Sequence, residues 1–112
     1  MDRNVKKFLY DIENSIIEIE SFMKLRPKSF DHFCQDTMFK RAIERNIEII
    51  GEAMNRVLKL HPEITITSSR KIVNTRNYVI HAYDTLSEEI LWGIVINDLP
   101  LLKKEVNALL SE

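Results

Sequence analysis

Two glycines, three prolines and a single cysteine in 112 residues leave little material for turns and none for an internal disulfide. Scarce turn formers argue for long helices joined by short connections. The lone Cys34, between Phe33 and Gln35, reads as a packed thiol in a protein of the reducing cytoplasm. No uninterrupted apolar run approaches the ~20 residues of a membrane span. The start of the chain, Met1 to Lys7, leads into a pattern broken by Asp11 and Glu13, unlike a secretory signal. An excess of either charge is also missing. The net charge of −1 gives no global basic field, so any contact with nucleic acid must be local or shared between subunits. His32 and His61 have no Cys, Glu or His at metal-ligand spacing, and no Glu-x-x-His pair occurs. Neither a metal nor another cofactor is therefore expected.

What the chain does contain is apolar residues at helical period. They make up 45% of it, against 29% charged, the balance of a globular protein with one core over residues 1–112. A first helix is expected from about Asp2 to Leu25, with Val5, Phe8, Leu9, Ile12, Ile16, Ile19 and Met23 as its stripe. Pro27 ends it, and Ser29 can cap a short turn whose Phe30 and Phe33 seal one end of the fold. A second long helix runs from near Asp36 to Leu60, with Phe39, Ala42, Ile43, Ile50, Ala53, Met54 and Val57 inward. Asn46 falls inside that stripe. It is either a structural hydrogen-bonding or register device, or a residue lining a cleft against the next helix. Gly51, in mid-helix, is explained by close approach of a neighbour.

A third helix should begin at Thr67 or Ser68, bury Ile72, Val73, Val79 and Ile80, and end at Asp84-Thr85. Thr85-Leu86-Ser87-Glu88 is a capping-box pattern that starts a fourth. The fourth carries Leu86, Ile90, Leu91, Ile94 and Val95. Pro100 then kinks or restarts it, and Leu101, Leu102, Val106, Leu109 and Leu110 continue its face. Trp92 reads as a core or interface anchor. The fold class that follows is all-α: an antiparallel up-and-down bundle of four main helices plus a short extra helix.

The stretch Arg76-Asn77-Tyr78-Val79-Ile80-His81-Ala82-Tyr83 concentrates chemistry in this otherwise ordinary chain. His81 can exchange a proton near neutrality, and Arg76 offers a cationic fork suited to phosphate. Together they can supply much of what phosphodiester cleavage requires. On a helix Asn77 and His81 share a face, whereas Arg76 and His81 are offset by roughly 140°. Arg76 must curl round, or the helix must end near His81, for both to meet one phosphate. The alternative is a solvated Arg76-Asn77 face with His81 at a helix end.

The R-N-x3-H-x-Y form resembles the HepT-like toxins of the HEPN superfamily. Arg45-Asn46-Ile47-Glu48-Ile49-Ile50-Gly51-Glu52-Ala53 and His61-Pro62-Glu63-Ile64 are similar to the same family, in the same order. Thr65-Ile66-Thr67 departs from it where a Trp is expected in many relatives. The resemblance implies a HEPN-like bundle and a metal-independent endoribonuclease, with Arg76 and His81 catalytic and Asn77 and Asn46 supporting. It implies a homodimer with RNA in a shared cleft. It also implies a minimal nucleotidyltransferase (MntA-like) antitoxin that transfers AMP to Tyr83. The other class left open is a non-catalytic helical module that partners such a nucleotidyltransferase.

Overall fold

Side-chain oxygens start the first three helices. Asp2 Oδ1 accepts from the N–H groups of Asn4 (2.6 Å) and Val5 (3.4 Å) and opens α1, Arg3–Lys24. Ser29 Oγ accepts from His32 N–H at 3.2 Å and opens the short α2, Phe30–Gln35. Asp36 Oδ1 accepts from Phe39 N–H at 3.1 Å and opens α3, Thr37–Leu60. Each cap satisfies a donor that the helix cannot, and contributes about 1 kcal/mol. These bounds fall within a residue or two of those expected from the sequence.

The computed structural model describes the backbone of residues 1–81 and 85–112, and side chains outside 76–87. Tyr83 and the expected helix end at Asp84 lie outside the described residues. So do the expected inward side chains of Val79, Ile80 and Leu86. The remaining helices are α4, Ser69–His81, α5, Thr85–Gly93, and α6, Leu99–Leu110, with a π-helical turn, Ile94–Asp98, between the last two.

Helix α1 packs on α3 and α6, and α3 packs on α4. Counting α5, the π-turn and α6 as one bent helix gives four main antiparallel helices with α2 as the extra one. This is the expected bundle. Leu9, Ile12, Ile43, Ile50, Met54 and Val106 have no exposed surface and form its centre. Phe33 meets Phe39 edge-on at 5.6 Å and lies 5.2 Å from Trp92, while Phe30 lies 6.5 Å from Trp92. That aromatic cluster joins α2, α3 and α5.

Between α3 and α4 the alternation Ile64, Ile66 inward and Glu63, Thr65, Thr67 outward has the period of a strand. No strand forms among the described residues. The segment is fastened by side chains instead, with Thr67 N–H and Oγ1 both donating to the Glu105 carboxylate of α6 at 2.8–3.3 Å.

One expectation needs correction. Leu101 does not continue the apolar face: it is 44% exposed, while Leu99 is 3% exposed. The cause is the π-turn, in which Leu99 N–H bonds back five residues to Ile94 O. Pro100 has no N–H, and its ring crowds the carbonyl four residues earlier. A widened turn before it relieves that conflict and advances the helix phase by one residue. The helix is therefore neither stopped nor fully restarted at Pro100. No helix among the described residues is long and apolar enough to cross a membrane.

Candidate functional site

Helix α4 carries the backbone of Arg76, Asn77 and His81. Whether a helix end brings Arg76 and His81 to one phosphate falls on residues outside those described. Ile72 and Thr75, both 2% exposed, mark the buried side of α4. Counting from Ile72 at 100° per residue, position 76 lies about 40° round, position 77 about 140° and position 81 about 180°. Positions 77 and 81 thus fall on the side of α4 away from buried Ile72.

Several contacts fix the frame around that helix. Thr75 Oγ1 donates to Lys71 O at 2.8 Å, a bond within the helix that keeps a buried hydroxyl satisfied directly before Arg76. Lys71 Nζ lies 2.9 Å from Asp98 Oδ2 and ties α4 to the π-turn. Beyond His81, the first turn of α5 is held by Glu88, whose Oε2 accepts from Lys40 Nζ of α3 at 2.8 Å. Lys40 also donates to Cys34 O at 3.3 Å. The Glu88 and Lys40 side chains are only 13% and 24% exposed, so their attraction is screened less than that of a surface pair.

This polar joint sets the ionisation of its members. The hydrogen bond from Lys40 holds the Glu88 carboxyl below its ordinary range. Burial, and then the neighbouring Glu88 charge, push the Cys34 thiol up. A raised pKa keeps Cys34 a neutral thiol, the opposite of an activated nucleophile. That agrees with its reading as a packed residue. Glu88 was expected to complete a capping box; one of its oxygens is engaged by Lys40.

Asn46 is 2% exposed on α3, the helix against which α4 packs. Its Nδ2 donates to Ala42 O at 3.0 Å, within its own helix. Among the described residues its buried Oδ1 has no hydrogen-bond donor. An open acceptor in a protein interior costs about 1–3 kcal/mol.

Sequence reasoning missed the joint of Lys40 with Glu88 and the tie of Thr67 to Glu105. Their partners are 48 and 38 residues apart, and no local pattern links them. His61 N–H closes α3 on Val57 O at 2.8 Å, and His32 lies 3.4 Å from Asp36.

An all-α bundle whose third main helix carries an Arg-Asn-x3-His motif has the architecture of the HEPN class. The chain belongs to the HepT-like ribonuclease family: the family described as "Ribonuclease HepT-like" matches residues 12–109. A "Probable ribonuclease HepT" of Thermococcus cleftensis is 37% identical over 107 residues, 92% of this chain and 93% of the relative. A "Putative RNase" of Methanocaldococcus jannaschii is 35% identical over 105 residues, 93% of this chain and 94% of the relative. A "Gamma-glutamylcyclotransferase and putative RNase" of the same organism is 30% identical over the whole chain, which spans 50% of that relative. No solved structure matches the chain.

Proposed function

We propose that this protein is a metal-independent endoribonuclease toxin of a HepT/MntA-type toxin–antitoxin pair, acting as a homodimer in the cytoplasm. The observation that carries the reading is the Arg76-Asn77-x3-His81 motif, on a single helix, in a chain of the HepT-like ribonuclease family. The reaction is a transesterification. A ribose 2′-oxygen bonds to the adjacent phosphorus as its proton passes to a base. The bond from phosphorus to the 5′-oxygen breaks, and that oxygen takes a proton from an acid. The products are a 2′,3′-cyclic phosphate and a free 5′-hydroxyl. His81 serves as the base or the acid. Arg76 stabilises the negative charge that develops on the phosphorane oxygens, and Asn77 holds phosphate or orients His81. Asn46, with its open acceptor, supports the motif helix from α3.

One motif brings one histidine, and two-fold symmetry supplies the second. The register of α4 supports that assembly for positions 77 and 81, which lie on the side away from buried Ile72, while position 76 lies about 40° from Ile72. The partner is a minimal nucleotidyltransferase of the MntA kind. It silences the toxin by joining the Tyr83 oxygen to the α-phosphorus of ATP, with release of pyrophosphate and of the phenolic proton. The added phosphate repels RNA and competes for Arg76.

The test is cleavage of RNA by wild type, Arg76→Ala and His81→Ala, each with and without chelator. His81→Ala should lose about 10²–10⁴ in rate, the usual worth of a positioned acid–base group. Chelator should leave the wild type active. Intact-mass analysis with ATP, Mg²⁺ and the partner should show AMP on wild type and none on Tyr83→Phe. A His81→Ala protein with native helical circular dichroism that cleaves as fast as wild type sinks the nuclease reading. The net charge of −1 would then favour a non-catalytic module that binds the nucleotidyltransferase.

A further inference from the structure

A groove of roughly 490 Å³ runs between the C-terminal half of α1 and the π-turn with the start of α6. No described residue of α4 lines it, so it belongs to a different face from the candidate nuclease site. Leu99, five residues after Ile94, turns into the core, and Pro100 follows at the rim with a short ring. The partly exposed side chains left along the groove are Met23, Ile96 and Pro100. Methionine is flexible and polarisable, and adapts to varied apolar partners.

The rim is basic. Lys24, Lys28 and Lys103 border the groove against one acid, Glu20. Lys103 Nζ is already paired with Glu20 Oε1 at 2.8 Å. Lys24 and Lys28 are exposed and have no partner among the described residues. Another groove among the described residues, between α1 and α3, is bordered by Asp11, Glu48 and Glu52 with Arg56. The two grooves therefore differ in sign, and a charged occupant would distinguish them. An apolar floor gives phosphate nothing to hold, which disfavours a nucleic-acid track. The dimensions suit the side chains of one amphipathic segment.

We propose that the α1–α6 groove is a docking site for an amphipathic, carboxylate-bearing helical segment of a protein partner. Its apolar side chains cover Met23, Ile96 and Pro100, and its acids pair with Lys24 and Lys28. This goes beyond the proposed function and does not depend on it.

The probe is a short end-capped peptide with leucines three and four apart and glutamates on both flanks, read by fluorescence anisotropy. A twin peptide carries lysines in place of the glutamates. Wild type should bind the acidic peptide, more weakly at high salt, and should not bind its basic twin. The double reversal Lys24→Glu with Lys28→Glu should weaken the acidic peptide tenfold or more and gain binding of the basic one. Both substitutions are on exposed side chains, and circular dichroism checks the fold. Peptide binding should be unchanged in His81→Ala, and RNA cleavage unchanged in the double reversal. Three results overturn the proposal: no binding of the acidic peptide, equal binding of the two peptides, or undiminished binding by the double reversal. Loss of single-stranded RNA binding in the double reversal, with no effect on peptide, overturns it too and makes the lysines a nucleic-acid contact.

Discussion

Asp36 closes one helix and opens the next. Its N–H donates to His32 O at 3.0 Å, its Oδ1 caps α3, and its Oδ2 accepts from Arg26 Nε at 3.0 Å. Arg26 also donates to Phe22 O at 3.1 Å and lies 4.7 Å from the centre of the Phe39 ring. The capping role of Asp36 was legible, since an acid before an apolar-periodic run is a start signal. The role of Arg26 was not, because nothing local tells a residue beside Pro27 that it will meet Phe39. The N–H of Phe39, and then Arg26, hold the Asp36 carboxyl below its ordinary range. A carboxyl with a lowered native pKa takes up a proton more readily once unfolded. Its stabilisation is therefore complete above the ordinary carboxylate value of about 4 and is lost as pH falls through the lowered native value. Asn is as good a cap but does not titrate. Asp36→Asn should lower Tm at pH 7, and the gap to wild type should shrink as melts are repeated down to about pH 3. A gap that stays constant with pH would mean the charge contributes nothing.

The helices themselves were legible because their apolar spacing, caps and prolines agreed with one another. Their phase was legible only while the period stayed at 3.6. At Pro100 the apolar period places Leu101 inward, whereas the structure buries Leu99. The spacing hid the change, because Leu99 follows Ile94 by five residues but buried Val95 by four, an interval that an ordinary α-turn also accommodates. The consequence can be measured. Leu99→Ala removes a side chain 3% exposed and should destabilise by about 2–5 kcal/mol. Leu101→Ala removes one 44% exposed and should stay within about 1 kcal/mol. Urea melts of the two variants give the comparison, and equal losses would contradict the phase advance. The motif followed the same logic. That Arg76, Asn77 and His81 share one helix was readable from spacing. The joint of Lys40, Glu88 and Cys34 that anchors α5 beyond it came only with the fold, because α2, α3 and α5 meet there without any sequence proximity.

At the scale of the whole molecule the candidate site lacks what its proposed chemistry needs. General acid–base cleavage of RNA uses two proton-transfer groups, and each motif offers one histidine. The net charge of −1 offers no field to hold RNA, whereas two motifs facing each other double the local positive charge. The backbone register of α4 leaves positions 77 and 81 on the side away from this chain's buried Ile72, where a second copy can approach. Sedimentation at micromolar concentration should therefore give the mass of two chains, and a fully active monomer would refute the assembly. Mixing wild type with an equal amount of His81→Ala and letting subunits exchange separates two kinds of dimer. Relative to the same total amount of protein as pure wild type, only wild-type pairs are active if one reaction needs both histidines, and the rate is about a quarter. If each subunit cleaves alone, about half survives. The bundle of each variant must first be shown intact by circular dichroism, because His81 lies on α4 and its loss can act through the helix. With that control, a remaining rate near one half removes the shared cleft while leaving the nuclease.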